Sequence, residues 1–314
     1  MSRLKNPAKW KPPGYDPELM LWLRRSLEGG TLLNPGELRP RTSARRECLV
    51  LAHGFNNHAG EAAEAYSLGF RARQYEQYPE LPRGSLEKRL GDGYWPGDAD
   101  WPGPLDWLDF MVYPFAVHTA KSAGPLLARA IRDLPNLERI DFIGHSLGCR
   151  LVLEAAEDLT TLGGPMIGRI CLMAAAVPNE MVGPGGRFDP LLLRLVDRGV
   201  KIHVMHSDKD PVLRFAFPPG QALAAELSLT ALGLYGPPAD MIGVGGMVTQ
   251  VKVAGARHGD YWGHNDSKAR TQAVREAGTF LRIGHTARTL TARAVGDGRV
   301  VGEARDVGAA REIG

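Results

Sequence analysis

The chain is poor in cysteine, lacks long apolar runs and is nearly balanced in charge, and each shortage closes off a class of protein. Three cysteines in 314 residues, Cys48, Cys149 and Cys171, make no disulfide framework. All three lie in or beside apolar segments and read as buried free thiols. No pair has the spacing of a zinc ligand set. No run is long enough to cross a bilayer. Residues 1–15 are basic and contain proline, but they lack the apolar core of a signal peptide. The expectation is a soluble, cytoplasmic protein. A net charge of +3, with dispersed basic residues, gives no argument for a nucleic-acid partner. Arg39, Arg41, Arg45 and Arg46 cluster, and they read as a solvated lead-in to a strand. No Gly-x-Gly-x-x-Gly follows the first strand and no Gly-Lys-Ser/Thr phosphate loop occurs, which disfavours a nucleotide-binding Rossmann protein.

What is present is a globular apolar fraction, 44%, on a chain long enough for one large α/β domain. Asp16 and Pro17 read as a helix start, with Leu19, Met20, Leu23 and Leu27 as its apolar stripe and Gly29-Gly30 as its end. Buried strands are expected at 47–52, 108–113, 139–143, 169–174, 200–205 and 248–253. Helices are expected at about 60–77, 120–134, from 148 to about 159, from 189, and at 268–281. Short buried strands alternating with helices imply a mainly parallel sheet with helices on both faces. Residues 78–107 read as a long Gly/Pro/Asp-rich loop carrying Tyr94, Trp95, Trp101 and Trp107. These aromatics either line a pocket or staple the loop to the surface, with a slight preference for the second. Residues 211–247 are apolar and punctuated by proline, with a helical stretch at 221–232. They form either a cap that flexes at Gly243 to Gly246 or an added helix on the core. The tail from about Gly284 is undecided between a frayed end and a small hairpin.

The chemistry sits at strand ends. Ile140-Asp141-Phe142-Ile143 runs into Gly144-His145-Ser146-Leu147-Gly148 and then into a helix. Strand, tight turn and helix are the context in which Gly-x-Ser-x-Gly marks a nucleophile elbow. Side chains at Gly144 and Gly148 would collide with the neighbouring strand and helix. A serine alcohol needs a base, and the base needs an orienting acid. Past the strand that ends at Met205 stand Asp208 and Asp210. Asp210 is preferred because the Pro211-Val212-Leu213 turn would pin it, while Asp208 could cap the turn. Past the last strand stands His258, with His264 as fallback; His285 is too deep in the tail. The oxyanion donors expected are the backbone N–H groups of Leu147 and of Phe55, with Asn56 as the alternative to Phe55. His53 and His58 lack the further ligands that a metal would need.

Leu49-Val50-Leu51-Ala52-His53-Gly54-Phe55-Asn56-Asn57, Gly144-His145-Ser146-Leu147-Gly148, Ser207-Asp208-Lys209-Asp210-Pro211-Val212 and His258-Gly259-Asp260-Tyr261-Trp262 together resemble the α/β-hydrolase superfamily in order and spacing, across about residues 47–282. The nearest flavour is a poorly characterised serine-esterase-like branch whose first motif reads His-Gly-aromatic-Asn-Asn. The resemblance implies an α/β-hydrolase fold, with residues 1–46 as an arm and helix, 47–283 as the catalytic domain and 284–314 as a tail. It implies cofactor-independent hydrolysis of a small-molecule or lipid-like carboxylic ester through an acyl-enzyme, with Ser146, Asp210 and His258 as triad. Acyl transfer or peptide cleavage could use the same machinery, and a non-catalytic binding or scaffold protein could keep the same fold. The long 211–257 stretch and the 78–107 excursion depart from the family pattern and leave the substrate open.

Overall fold

The structure is a computed structural model, and it describes residues 20–25, 31–38, 45–55, 57–98, 109–223, 230–241, 247–263 and 268–284. Seven strands among these pair in one sheet, every pair parallel: β1 (Met20–Trp22), β2 (Glu47–Ala52), β3 (Leu90–Tyr94), β4 (Arg139–His145), β5 (Met166–Met173), β6 (Lys201–His206) and β7 (Val248–Lys252), in spatial order β1-β3-β2-β4-β5-β6-β7. After β2 come α1 (Ala59–Glu64), a π turn (Ala65–Arg71) and α2 (Ala72–Gln77). Then come α3 (Asp109–Arg132) after β3, α4 (Gly148–Leu162) after β4, and α5 (Asn179–Val182) and α6 (Asp189–Asp197) after β5. α7 (Phe217–Leu223) and α8 (Leu232–Tyr235) lie between β6 and β7, and α9 (Lys268–Phe280) follows β7.

Strands buried on both faces read as unbroken apolar runs, and β2, β4 and β6 are buried beyond their first residue. Helices cover both faces. α3 runs along α4 so closely that a Cβ on Gly124 would stand 2.4 Å from that of Glu154. α2 meets α9, where the Gln74 amide donates to the Val274 carbonyl at 3.0 Å. This is the α/β-hydrolase architecture expected from the sequence.

The strand order places the site. From β2 the chain moves outward to β3. It then returns to the other side of β2 as β4 and continues away through β5, β6 and β7. The direction reverses between β2 and β4, and in parallel sheets the crevice for ligands opens beyond the carboxyl ends at such a reversal. β2 and β4 are in register, with Ala52 beside Gly144 near their carboxyl ends, and the chain runs on from that pair as His53-Gly54-Phe55 and as His145-Ser146.

Four expectations are corrected. The strand expected to be buried at 248–253 is β7, which ends the order of the described strands, and of its residues only Val248 is buried. Residues 20–22, expected in a helix, form β1, paired in parallel with β3. Met20-Leu21-Trp22-Leu23 is apolar throughout and fits either period. The open edge of β3 decides: Leu21 and Leu23 go inward, and the Leu23 N–H reaches the Tyr94 carbonyl at 2.9 Å. The expected 78–107 loop contains β3, a central-side strand with no exposed residue. Its Gly91-Asp92-Gly93 reads as turn chemistry. The glycines instead admit close neighbours, since a Cβ on Gly93 would lie 2.8 Å from the Leu51 carbonyl oxygen. Buried Asp92 is paired with Arg71. The strand expected at 108–113 is the first part of α3 from Asp109 onward. A short apolar run does not declare its period, and β3 already holds the place beside β2.

Tyr94 and Trp95 are core residues, not surface staples. In the 211–247 stretch, a π turn (Val212–Ala216) leads into α7, and α8 packs on the ends of β5 and β6, with the Gly233 N–H on the Ala175 carbonyl at 2.9 Å. Leu19, Leu27, Asn56, Trp101, Trp107, Gly243 to Gly246, His264, His285 and the tail beyond Gly284 lie outside the described residues. Among the described residues no helix is long and apolar enough to cross a membrane. The three cysteines are buried, as expected. Burial pushes the Cys149 and Cys171 thiols well up, away from the reactive thiolate.

Candidate active site

The turn from β4 into α4 puts Ser146 in the left-handed region, φ +54°. A non-glycine residue pays for that conformation and keeps it only where the surroundings hold it. Here they do: the Ser146 N–H bonds the Met173 carbonyl at 3.0 Å, and its carbonyl accepts from Cys149 and Ala176, each at 3.1 Å. The motif glycines are needed for contact. A Cβ on Gly144 would lie 2.8 Å from Cys149 Cα, and one on Gly148 would lie 2.3 Å from the His53 carbonyl oxygen. Gly54 belongs to the same arrangement, because a Cβ there would stand 2.8 Å from that of Ser146. The loop after β2 is thereby laid against the elbow. Among the described residues no hydrogen bond takes the backbone N–H of Leu147 or of Phe55.

Gly148→Ala sets a methyl against two main-chain carbonyls, those of His53 and Ala52, which have no freedom to retreat. Overpacking of this kind costs about 3 kcal/mol, and urea unfolding of Gly148→Ala should show a loss on that scale.

The histidine and the acid meet. His258 Nδ1 lies 2.7 Å from Asp210 Oδ2. Asp210 is fully buried, and its Oδ1 accepts the N–H groups of Val212 at 3.0 Å and Leu213 at 3.1 Å. The Pro-Val-Leu turn therefore pins the carboxylate, and a buried charge is given three donors. Asp208 points elsewhere, to Lys252 Nζ at 3.0 Å, and that bond holds its carboxyl below the usual range. His258 begins a 3-10 turn (His258–Trp262) and keeps partial exposure. Its loop rests on the elbow through His145, the residue ahead of Ser146. The two imidazoles lie 4.9 Å apart, and His145 Nε2 is 2.7 Å from the His258 carbonyl oxygen. Sequence reasoning overlooked His145, although a polar ring at the variable position of the elbow, on the end of a buried strand, was a visible signal.

Behind Gly54 the support is aromatic. His53 is wholly buried and stacks on Trp95 at 5.6 Å. The Trp95 indole N–H donates to the His53 carbonyl at 2.9 Å, and the His53 N–H donates to the Tyr66 hydroxyl at 2.7 Å. Tyr66 in turn donates to the Gly93 carbonyl at 2.8 Å. His58 serves apart from this, accepting the N–H groups of Gly60 and Glu61 to cap α1. On the other side the Phe55 ring meets Tyr113 of α3 edge-on, and Tyr113 meets Phe217 of α7. Through these rings the loop after β2 is tied both to β3 and to the segment that follows the acid.

Burial pushes the His53 imidazole down to about 3, so it is neutral in the fold. An unfolded His53 takes a proton near its ordinary value. Between about pH 6.5 and 3 the unfolded chain therefore binds more protons, and stability falls as pH falls through that window, by up to about 1.4 kcal/mol per unit from this one group. Burial depresses His203 and His206 as well, with the same sign. Urea midpoints at pH 7.5 and 4.5 should differ accordingly, the acid one lower.

No family model matches the chain, and no curated protein matches it. Among solved structures it is similar to an esterase from Pyrobaculum calidifontis, at 16% identity and a TM-score of 0.39 over 82% of this chain and 80% of that one. It is similar to carboxyl esterase 2 from Tuber melanosporum, at 14% and 0.35 over 76% and 77%. It is also similar to the RedJ thioesterase of the prodiginine pathway in Streptomyces coelicolor, at 13% and 0.36 over 79% and 96%. Likeness at this level carries nothing about the chemistry of this chain, which has to rest on its own side chains.

Proposed function

We propose that this protein is a serine hydrolase that cleaves a carboxylic ester through an acyl-enzyme, with Ser146 as nucleophile, His258 as base and Asp210 as its orienting acid. The observation that carries the reading is the bond between His258 Nδ1 and buried Asp210 on a loop that rests on the elbow of Ser146. Asp210 accepts a hydrogen bond from Nδ1–H, which leaves the Nε2 lone pair to take the serine proton. Ser146 Oγ attacks the ester carbonyl carbon as His258 removes its proton. The C=O electrons move onto oxygen, where the N–H groups of Leu147 and Phe55 stabilise the charge. Collapse expels the alkoxide, which takes the proton from His258 Nε2 and departs as the alcohol. Water, deprotonated by the same histidine, attacks the acyl-serine; the acyl C–Oγ bond then breaks, His258 returns its proton to Ser146 Oγ, and the acid is released. No step draws on a cofactor. The substrate is a small-molecule or lipid-like ester. The test is a panel of p-nitrophenyl esters of increasing acyl length. Wild type should release nitrophenol catalytically from at least one of them, and a folded wild type inert to all would count against the reading.

A further inference from the structure

We propose that His145 is a positioning residue of this site: its Nε2–H holds the main-chain carbonyl of His258 and so fixes the base loop to the strand that carries Ser146. The inference deepens the hydrolase reading and rests on it for its effect on rate. A carbonyl oxygen only accepts, so the 2.7 Å contact makes Nε2 the protonated nitrogen of His145. The ring is buried and wedged. Tyr261 and Trp262 of the His258 turn pack on it at 6.2 and 5.8 Å. Gly54 also approaches it: a Cβ there would come within 3.2 Å of Nδ1 and 2.8 Å of Ser146 Cβ. One imidazole thus touches the loop of the proposed oxyanion donor and the loop of the proposed base, and is one peptide bond from the proposed nucleophile.

The two anchors of His258 do different things. Asp210 follows β6 and sets the tautomer and direction of the ring. It ties the ring to the segment after β6, not to the strand that leads to Ser146. His145 is on β4 itself, so its bond to the His258 carbonyl ties the backbone of the base to the backbone of the nucleophile. Displacing a reacting group by about 1 Å costs on the order of 10²-fold in rate.

The experiment compares wild type, His145→Leu and His145→Gln, with Ser146→Ala alongside. Leucine fills the space without a donor; the glutamine carboxamide N–H points to where Nε2 stood. His145→Leu should lower kcat roughly 10²-fold with little change in KM, and His145→Gln should recover most of it. A second readout needs no turnover: amide hydrogen exchange over residues 257–263. Exchange should quicken in the leucine variant and slow again in the glutamine variant. Unchanged exchange in His145→Leu overturns the proposal, as does a glutamine variant no better than leucine in either readout. If Ser146→Ala keeps full activity, the hydrolase reading fails by itself, and the exchange result still decides whether His145 holds the His258 loop.

Discussion

Ser146→Ala is expected to lower kcat by on the order of 10⁶-fold, the scale on which an activated serine nucleophile is lost. The loss should come without unfolding. Alanine keeps the Cβ that already tolerates φ +54°, and the hydrogen bonds that hold the turn run through the Ser146 backbone, not its hydroxyl. Gly54 faces the Ser146 Cβ, which alanine keeps in place. The melting temperature should therefore stay within a few degrees of wild type while ester turnover disappears. Kinetics and thermal unfolding on the same preparation check both halves. A variant that folds and still turns over at the wild-type rate leaves the mechanism without its nucleophile.

Asp210→Asn is the second large effect, expected near 10⁴-fold in kcat. The direction of the amide is forced. Oδ1 receives two backbone N–H groups, from Val212 and Leu213, so the asparagine oxygen must take that place. Its NH2 group then faces His258 Nδ1, where the carboxylate stood at 2.7 Å. A donor there obliges Nδ1 to accept, moves the imidazole proton to Nε2 and removes the lone pair that should receive the serine proton. Packing is conserved, so stability should change far less than rate. Asp208→Asn is the control. That carboxylate is partly exposed and bound to Lys252, a surface pair worth little, and turnover should stay within about twofold of wild type. Should Asp208→Asn be the crippled variant, the acid has been assigned to the wrong side of Lys209.

The pattern of these residues was readable wherever burial and period agreed. β2, β4, β5 and β6 carry apolar runs, β7 has the weaker pattern of Val248 and Val251 among polar residues, and each polar motif follows the end of one of these strands, because a parallel sheet brings all its carboxyl ends to one edge. Asp210 could be preferred over Asp208 from turn chemistry, and the structure shows the mechanics, two N–H groups of that same turn on one oxygen. β3 was hidden because its three middle residues are not apolar. Gly91 and Gly93 are there so that neighbours can approach, and Asp92 is buried against Arg71, none of which composition reveals. With β3 unseen, the run at 108–113 filled its place as a strand, and the crossover that creates the reversal between β2 and β4 could not be read. β1 was lost for the converse reason, as a run apolar at every position fits both periods. His145 was missed because its work is done on a main-chain carbonyl more than a hundred residues away, a pairing that only the folded chain displays.

One measurement goes to the reactivity of Ser146 itself. The folded wild-type protein is treated with a fluorophosphonate, which phosphonylates a serine only when a base activates it and an oxyanion hole receives the charge. Intact mass and peptide mapping then locate the adduct, with Ser146→Ala treated in parallel. A single adduct on Ser146, absent from the alanine variant, is the expected result. A folded wild-type protein that takes no label, or takes it equally in Ser146→Ala, would mean that Ser146 is not an activated nucleophile and that this fold serves some purpose other than hydrolysis.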